Sequence, residues 1–102
     1  MSYNELELAV VRWSEARGII QNSDAKTQLL KAFEEMGELA SGVNKKDMAL
    51  IKDGVGDVLV CLINVCAILD ISMTDCLSLA YNEIKDRKGY LTKEGVFIKE
   101  AV

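Results

Sequence analysis

Two groups of acidic residues stand close together in the middle of the chain: Glu34-Glu35-Met36-Gly37-Glu38, and Asp53 with Asp57. On a helix, Glu35 and Glu38 are i, i+3 neighbours that project to one side, so both can reach one ion. At 100° per residue, Asp53, Asp57 and Asn64 fall within about 40° of one line. Two antiparallel helices carrying these groups can converge four or five carboxylate oxygens on a small space. That is the hard donor set preferred by Mg²⁺, with Mn²⁺ as the alternative. Taken alone, the EExxE pattern also reads as a solvated helix face on which Lys31 pairs with its acidic neighbours. A second acidic pair on a helix that should be buried favours the metal, because buried carboxylates need a cation, a basic partner or a proton.

The chain has no histidine, which excludes Ser-His and Cys-His catalysis and the usual zinc sites. Its cysteines, Cys61, Cys66 and Cys76, form no CxxC pair and read as buried reduced thiols.

The elements that must position these groups are helical. There is no proline, so turns are marked by Gly, Asn, Asp and Ser. The periodicity predicts a first helix from Tyr3 to Arg17, with Leu6, Val10 and Trp13 on one face and Gly18 as its stop. A second starts after Asn22 or Ser23 and runs to about Asn44, with Leu29, Phe33, Met36, Ala40 and Val43 as its apolar, inward seam. A third opens near Asp47 and continues to about Leu69. Its stretch from Val58 to Leu69 is apolar except at Asn64, so it should be covered on nearly all sides. A fourth runs from a Thr74 cap to about Lys88, with Leu77, Ala80 and Ile84 inward and Ser78, Asn82 and Lys85 as a polar stripe. Tyr90 to Val102 reads as a short hairpin or an extended arm.

With 102 residues, half of them apolar, the chain is expected to form one domain over 1–102. Four helices can hardly bury the third within one subunit, which predicts a homo-oligomer. The net charge of −4 argues against a nucleic-acid partner bound through a basic face. The 12-residue apolar run is too short to span a bilayer, so no membrane partner is expected. Nothing at the N-terminus has the pattern of a secretion signal, and the expected address is the cytoplasm.

At these motifs the chain resembles the MazG-like all-α nucleoside triphosphate pyrophosphohydrolases, marked by EExxE on one helix and ExxD on the next. The resemblance extends from the Trp13 helix through Asp53-Gly54-Val55-Gly56-Asp57-Val58-Leu59 to Tyr81-Asn82-Glu83-Ile84-Lys85-Asp86-Arg87-Lys88-Gly89. The last two segments are similar to the short single-domain members of phages and bacteria. The resemblance implies a four-helix MazG-like bundle, a homodimer or homotetramer, and metal-dependent hydrolysis of (deoxy)nucleoside triphosphates to the monophosphate and pyrophosphate.

Carried over by position, Glu35 and Glu38 are metal ligands and Asp57 closes ExxD. Gly54 stands where the family has its first Glu. Asp53 comes one residue earlier, rotated by 100°, which leaves direct ligation, ligation through water, or none open to it. Glu34 either orients or deprotonates the attacking water or serves as a surface ion-pair partner. Asn82 and Lys85 match residues used on the phosphates, with Lys31 and Asn64 as further substrate contacts. Arg87 and Lys88 assist there or serve only the helix dipole. Trp13 stacks on the nucleobase or belongs to the core. Two other classes remain: a nucleotide- or alarmone-binding module without turnover, favoured by the missing ExxD glutamate, and a helical interaction protein that dimerises through its third helix.

Overall fold

The computed structural model describes residues 1–101, most of them helical. Helix α1 (Tyr3–Ala16) begins at a capping box: Ser2 Oγ accepts from the Glu5 amide and Glu5 Oε1 accepts from the Ser2 amide, both at 3.2 Å. Gly18, at φ 75°, turns the chain into a single helical turn, α2 (Ile19–Asn22). Periodicity does not announce α2, because four residues are too few to repeat a pattern. Helix α3 (Ala25–Lys45) is capped by Asp24, one residue past the expected Asn22 or Ser23, since its Oδ1 takes the Thr27 amide at 2.6 Å. Lys46, at φ 55°, ends it, and α4 (Met48–Ile68) opens at the predicted Asp47 cap. Helix α5 (Met73–Ile84) is capped by Ser72 rather than Thr74 and stops short of Lys88. The C-terminal segment is the hairpin, not the arm: β1 (Gly89–Leu91) pairs antiparallel with β2 (Phe97–Lys99) across a turn containing Gly95 at φ 88°. Val102, the last residue of that expectation, lies outside the described residues.

Four long helices are therefore present, but α5 does not close the bundle within one chain. The antiparallel pair α3/α4 is the centre of the molecule. The α3 stripe facing α4 is Gln28, Ala32, Glu35, Leu39 and Gly42, at a, d-type spacing, and it meets Gly54, Val58 and Cys61 of α4. Here the sequence expectation is corrected. Leu29, Phe33, Met36, Ala40 and Val43 do not point inward; they are exposed, on a flank turned about 100° away from α4. The reason is that α4 is apolar on nearly every side and accepts the small-residue stripe, which permits the closest approach of the two backbones. A Cβ on Gly54 would come within 3.0 Å of Leu39 Cβ and 3.1 Å of its Cα.

Helices α1 and α2 lie against α4. Helix α5 touches only α4, from which it bends away by 104°, so Leu77, Ala80 and Ile84 are exposed rather than inward. Among the described residues, no single helix is long and apolar enough to cross a membrane.

One buried polar chain ties three of these helices together. Ser14 Oγ donates to Asn64 Oδ1 (2.6 Å), Asn64 Nδ2 donates to Gln28 Oε1 (3.1 Å), and Gln28 Nε2 donates to Ser23 Oγ (3.1 Å). Ser14 and Asn64 are buried. Each hydrogen bond is worth about 1 kcal/mol net, whereas leaving one partner unpaired costs about 1–3 kcal/mol. The chain therefore fixes the seating of α1 and α3 on α4 more than it adds stability.

Candidate active site

Because α3 turns its Glu35 face toward α4, the two acidic motifs meet. Gly54 sets the distance: its missing side chain lets Leu39 settle on the α4 backbone, one residue along from Glu38 and three before Asp57. The position where the ExxD pattern would place a glutamate is thus the contact point of the two helices, and a larger residue there would force them apart.

Glu35 is the hub. Its side chain is 13% exposed, Oε1 is 3.5 Å from Lys31 Nζ, and Oε2 is buried with no hydrogen-bond partner. Repulsion from Glu35 holds the Glu38 carboxyl above the usual carboxylate range. Burial pushes Asp57 up, reinforced by the charges of Asp53 and Glu35. Lys31 is raised by the carboxylates of Glu34 and Glu35, with Glu34 Oε2 at 3.8 Å. The Cys61 thiol is raised by burial and by Glu35. Among the described residues, the ion pairs of Lys31 are the only ones. The cluster therefore holds Glu34, Glu35, Glu38, Asp53 and Asp57 against one lysine. Among the described residues no three of its members already converge around a common point; they meet in pairs, with Glu38 in hydrogen-bond reach of Glu35 and Asp57 of Asp53.

The other sequence candidates fall in three places. Asp57 also lines a cleft of about 440 Å³ between α1 and α4, with Trp13, Leu6, Val10 and Val60 as its apolar walls. Trp13 is half-exposed there, with the Arg17 guanidinium 4.1 Å from its ring centroid. Asn64 is buried, and its amide is engaged by Ser14 and Gln28. Asn82, Lys85, Arg87 and Lys88 sit on or just after α5, away from the carboxylates of their own chain. Cys61 and Cys66 are buried free thiols as expected, whereas Cys76 is exposed; sequence reasoning missed Ser14, Gln28 and Arg17. All three had readable signals: Ser14 follows Val10 at i+4, Gln28 begins the small-residue stripe, and Arg17 follows Trp13 at i+4.

Residues 23–92 match the model of the MazG nucleotide pyrophosphohydrolase domain. A curated relative, described as an uncharacterized 18.2 kDa protein in the rep-hol intergenic region of Haemophilus phage HP1 (strain HP1c1), is 39% identical over 54 residues. The match covers 53% of this chain and only 33% of that relative's length. No solved structure matches. The family match spans both acidic motifs and α5, and the chain belongs to the MazG nucleotide pyrophosphohydrolase domain family.

Proposed function

We propose that the protein hydrolyses (deoxy)nucleoside triphosphates to the nucleoside monophosphate and pyrophosphate, with Mg²⁺ or Mn²⁺ held by Glu35, Glu38 and Asp57. The observation that carries this reading is the buried, unpartnered Oε2 of Glu35, beside a Glu38 carboxyl that its charge raises and an Asp57 carboxyl raised by burial and by neighbouring charge. Such a cluster lacks positive charge, and its donors are the oxygens a small hard cation takes. A divalent ion there supplies charge to the polyphosphate oxygens and makes a nearby water more acidic.

The chain's own residues do the rest. Asp53, exposed beside Asp57, adds charge from the second helix. Glu34, exposed and bound only to Lys31, is free to orient the attacking water or take its proton. Lys31 meets substrate oxygens when its carboxylate partners turn to the cation. The cleft beside Asp57 suits a nucleobase, with the indole of Trp13 as a stacking wall. Asn64 serves this site through position, holding α1 and hence Trp13 on α4.

A second reading, nucleotide binding without turnover, is favoured by Gly54 in place of the ExxD glutamate. A panel of NTPs and dNTPs with Mg²⁺ or Mn²⁺, assayed for both pyrophosphate and monophosphate, decides between the two. Binding of a triphosphate with no pyrophosphate released would favour the second.

A further inference from the structure

We propose that Cys66 and Cys76 form a modification site at the joint of α4 and α5, a thiol pair that a low-molecular-weight disulfide converts into an intrachain disulfide, pinning α5 to α4. The proposal is independent of the reading of the acidic site. Cys66 lies in the last turn of α4 and is buried; Cys76 lies in the first turn of α5 and is exposed; both are free. Although the two helices diverge by 104°, the sulfurs are neighbours across the joint, with the Cys76 side chain in hydrogen-bond reach of the Cys66 thiol.

The turn itself brings them together. The chain reverses through Asp70 at φ 56°. The Ile71 amide donates back to the Cys66 carbonyl at 2.9 Å, and the Cys76 amide donates to the Ser72 carbonyl at 3.0 Å. Ser72 Oγ also accepts from the Asp75 amide at 3.2 Å, which caps α5. Both cysteine backbones are thus tied to the same short connection, so the thiols meet through local chain geometry and not through the packing of α5. That packing is slight. Helix α5 touches only α4, and its Leu77 and Leu79 are exposed. A bond at its base would be the main constraint on its direction, and Lys85, Arg87 and Lys88 at its far end move with it.

The two thiols divide the chemistry. Burial, then the Cys76 sulfur and Glu7 of α1, hold the Cys66 thiol above its usual range, and Tyr3 of α1 faces the same spot. Cys76 is open to solvent and reacts first. It gives its proton to water, and the thiolate attacks one sulfur of a small disulfide RSSR. That S–S bond breaks, RS⁻ leaves, and the other RS group stays on Cys76. Cys76 then carries no charge that opposes ionisation of Cys66. Cys66 in turn gives up its proton and attacks the Cys76 sulfur, expelling the second RS⁻. In sum, two protein thiols and RSSR become one protein disulfide and two RSH; the pair is oxidised by two electrons and the reagent is reduced. Cys61 is an internal control, because it is buried about 140° round α4 from Cys66, beside Glu35 and away from the joint.

The test exposes the reduced, folded protein to graded ratios of glutathione disulfide to glutathione, then alkylates it under denaturing conditions and maps the thiols by mass. Cys66 and Cys76 should be lost together, leaving Cys61 alone to be alkylated, in a single chain lighter by about 2 Da. The melting temperature should rise by about 5–10 °C and fall back with dithiothreitol. Cys66→Ser should stop at a stable glutathione adduct on Cys76, and Cys76→Ser should leave Cys66 unreacted while the protein is folded. If either variant fails to fold, the wild-type map alone decides. Glutathione retained on Cys76, a Cys76 link between two chains, or three free thiols at the highest ratio would each overturn the proposal. A bridge that forms without raising the melting temperature would overturn the pinning of α5.

Discussion

The α3/α4 pair and α5 are both amphipathic helical structure, yet one is closed and the other open. Between α3 and α4 the backbones approach closely, and among the described residues the one buried side-chain oxygen without a hydrogen-bond partner is at Glu35. On α5, Leu77 and Leu79 are 68% and 73% exposed, and the helix rests on one neighbour. The difference separates two jobs. Holding like charges together needs a rigid frame around them, whereas α5, with one neighbour, has little to fix its position.

The largest effect should come from removing charge inside the closed region. Glu38→Gln and Asp57→Asn keep shape and should each lower pyrophosphate release by about a hundredfold or more, with melting temperature unchanged or raised, since a repulsion is relieved. Asp53→Asn should cost less, roughly ten- to a hundredfold, if it acts behind Asp57. Near-normal rates in the first two would return the cluster to a structural role.

Next is the frame itself. Gly54→Ala places a methyl group against Leu39 and should destabilise the fold by about 1–3 kcal/mol, measured by urea unfolding. An unchanged midpoint would mean that α3 and α4 are not held at this spacing.

How much of this was readable in the residues follows from the same comparison. The carboxylate pairs, the Asp47 cap and the Gly18 stop were visible because each depends on neighbours three or four residues away. The rotation of α3 was not. An apolar stripe ordinarily faces the core, but here the partner helix is apolar all round and selects the stripe with the smallest residues, Ala32 and Gly42. Asn64 looked like part of the acidic line on α4. Its partners, Ser14 and Gln28, are 50 and 36 residues distant and no local pattern connects them. Leu77 and Ile84 were assigned to a core that one chain does not provide.

A third, smaller effect is in pH. Glu38 and Asp57 have folded-state pKa values above their unfolded ones, so the folded protein binds protons more readily than the unfolded chain. Their effect on stability is fully favourable below the ordinary carboxylate range of about 4 and is lost as pH rises through the raised values. Metal-free protein should therefore melt lower at about pH 7.5 than at about pH 5, and Glu38→Gln with Asp57→Asn should shrink that difference. Millimolar Mg²⁺ or Mn²⁺ should restore several degrees at the higher pH and little at the lower. Identical melting with metal and with EDTA at both values would count heavily against a cation site.

The smallest effect discriminates an open surface from a covered one. A Cβ at Gly56 would meet nothing within 4 Å, so Gly56→Ala should stabilise α4 by up to about 1 kcal/mol through helix propensity. Destabilisation instead would reveal a neighbour packed against that position in solution.

Trp13 carries a practical consequence. It is the only tryptophan in the chain, and its indole is capped on one side by Arg17 while it shares a cleft with Asp57. Excited at the red edge, where tyrosine does not absorb, the protein's emission therefore comes from a single indole standing at the mouth of the proposed site, next to a cationic neighbour and open to water. Whatever fills that cleft must change the solvation of the ring, so occupancy can be followed by light from the unmodified protein, without a label and without turnover.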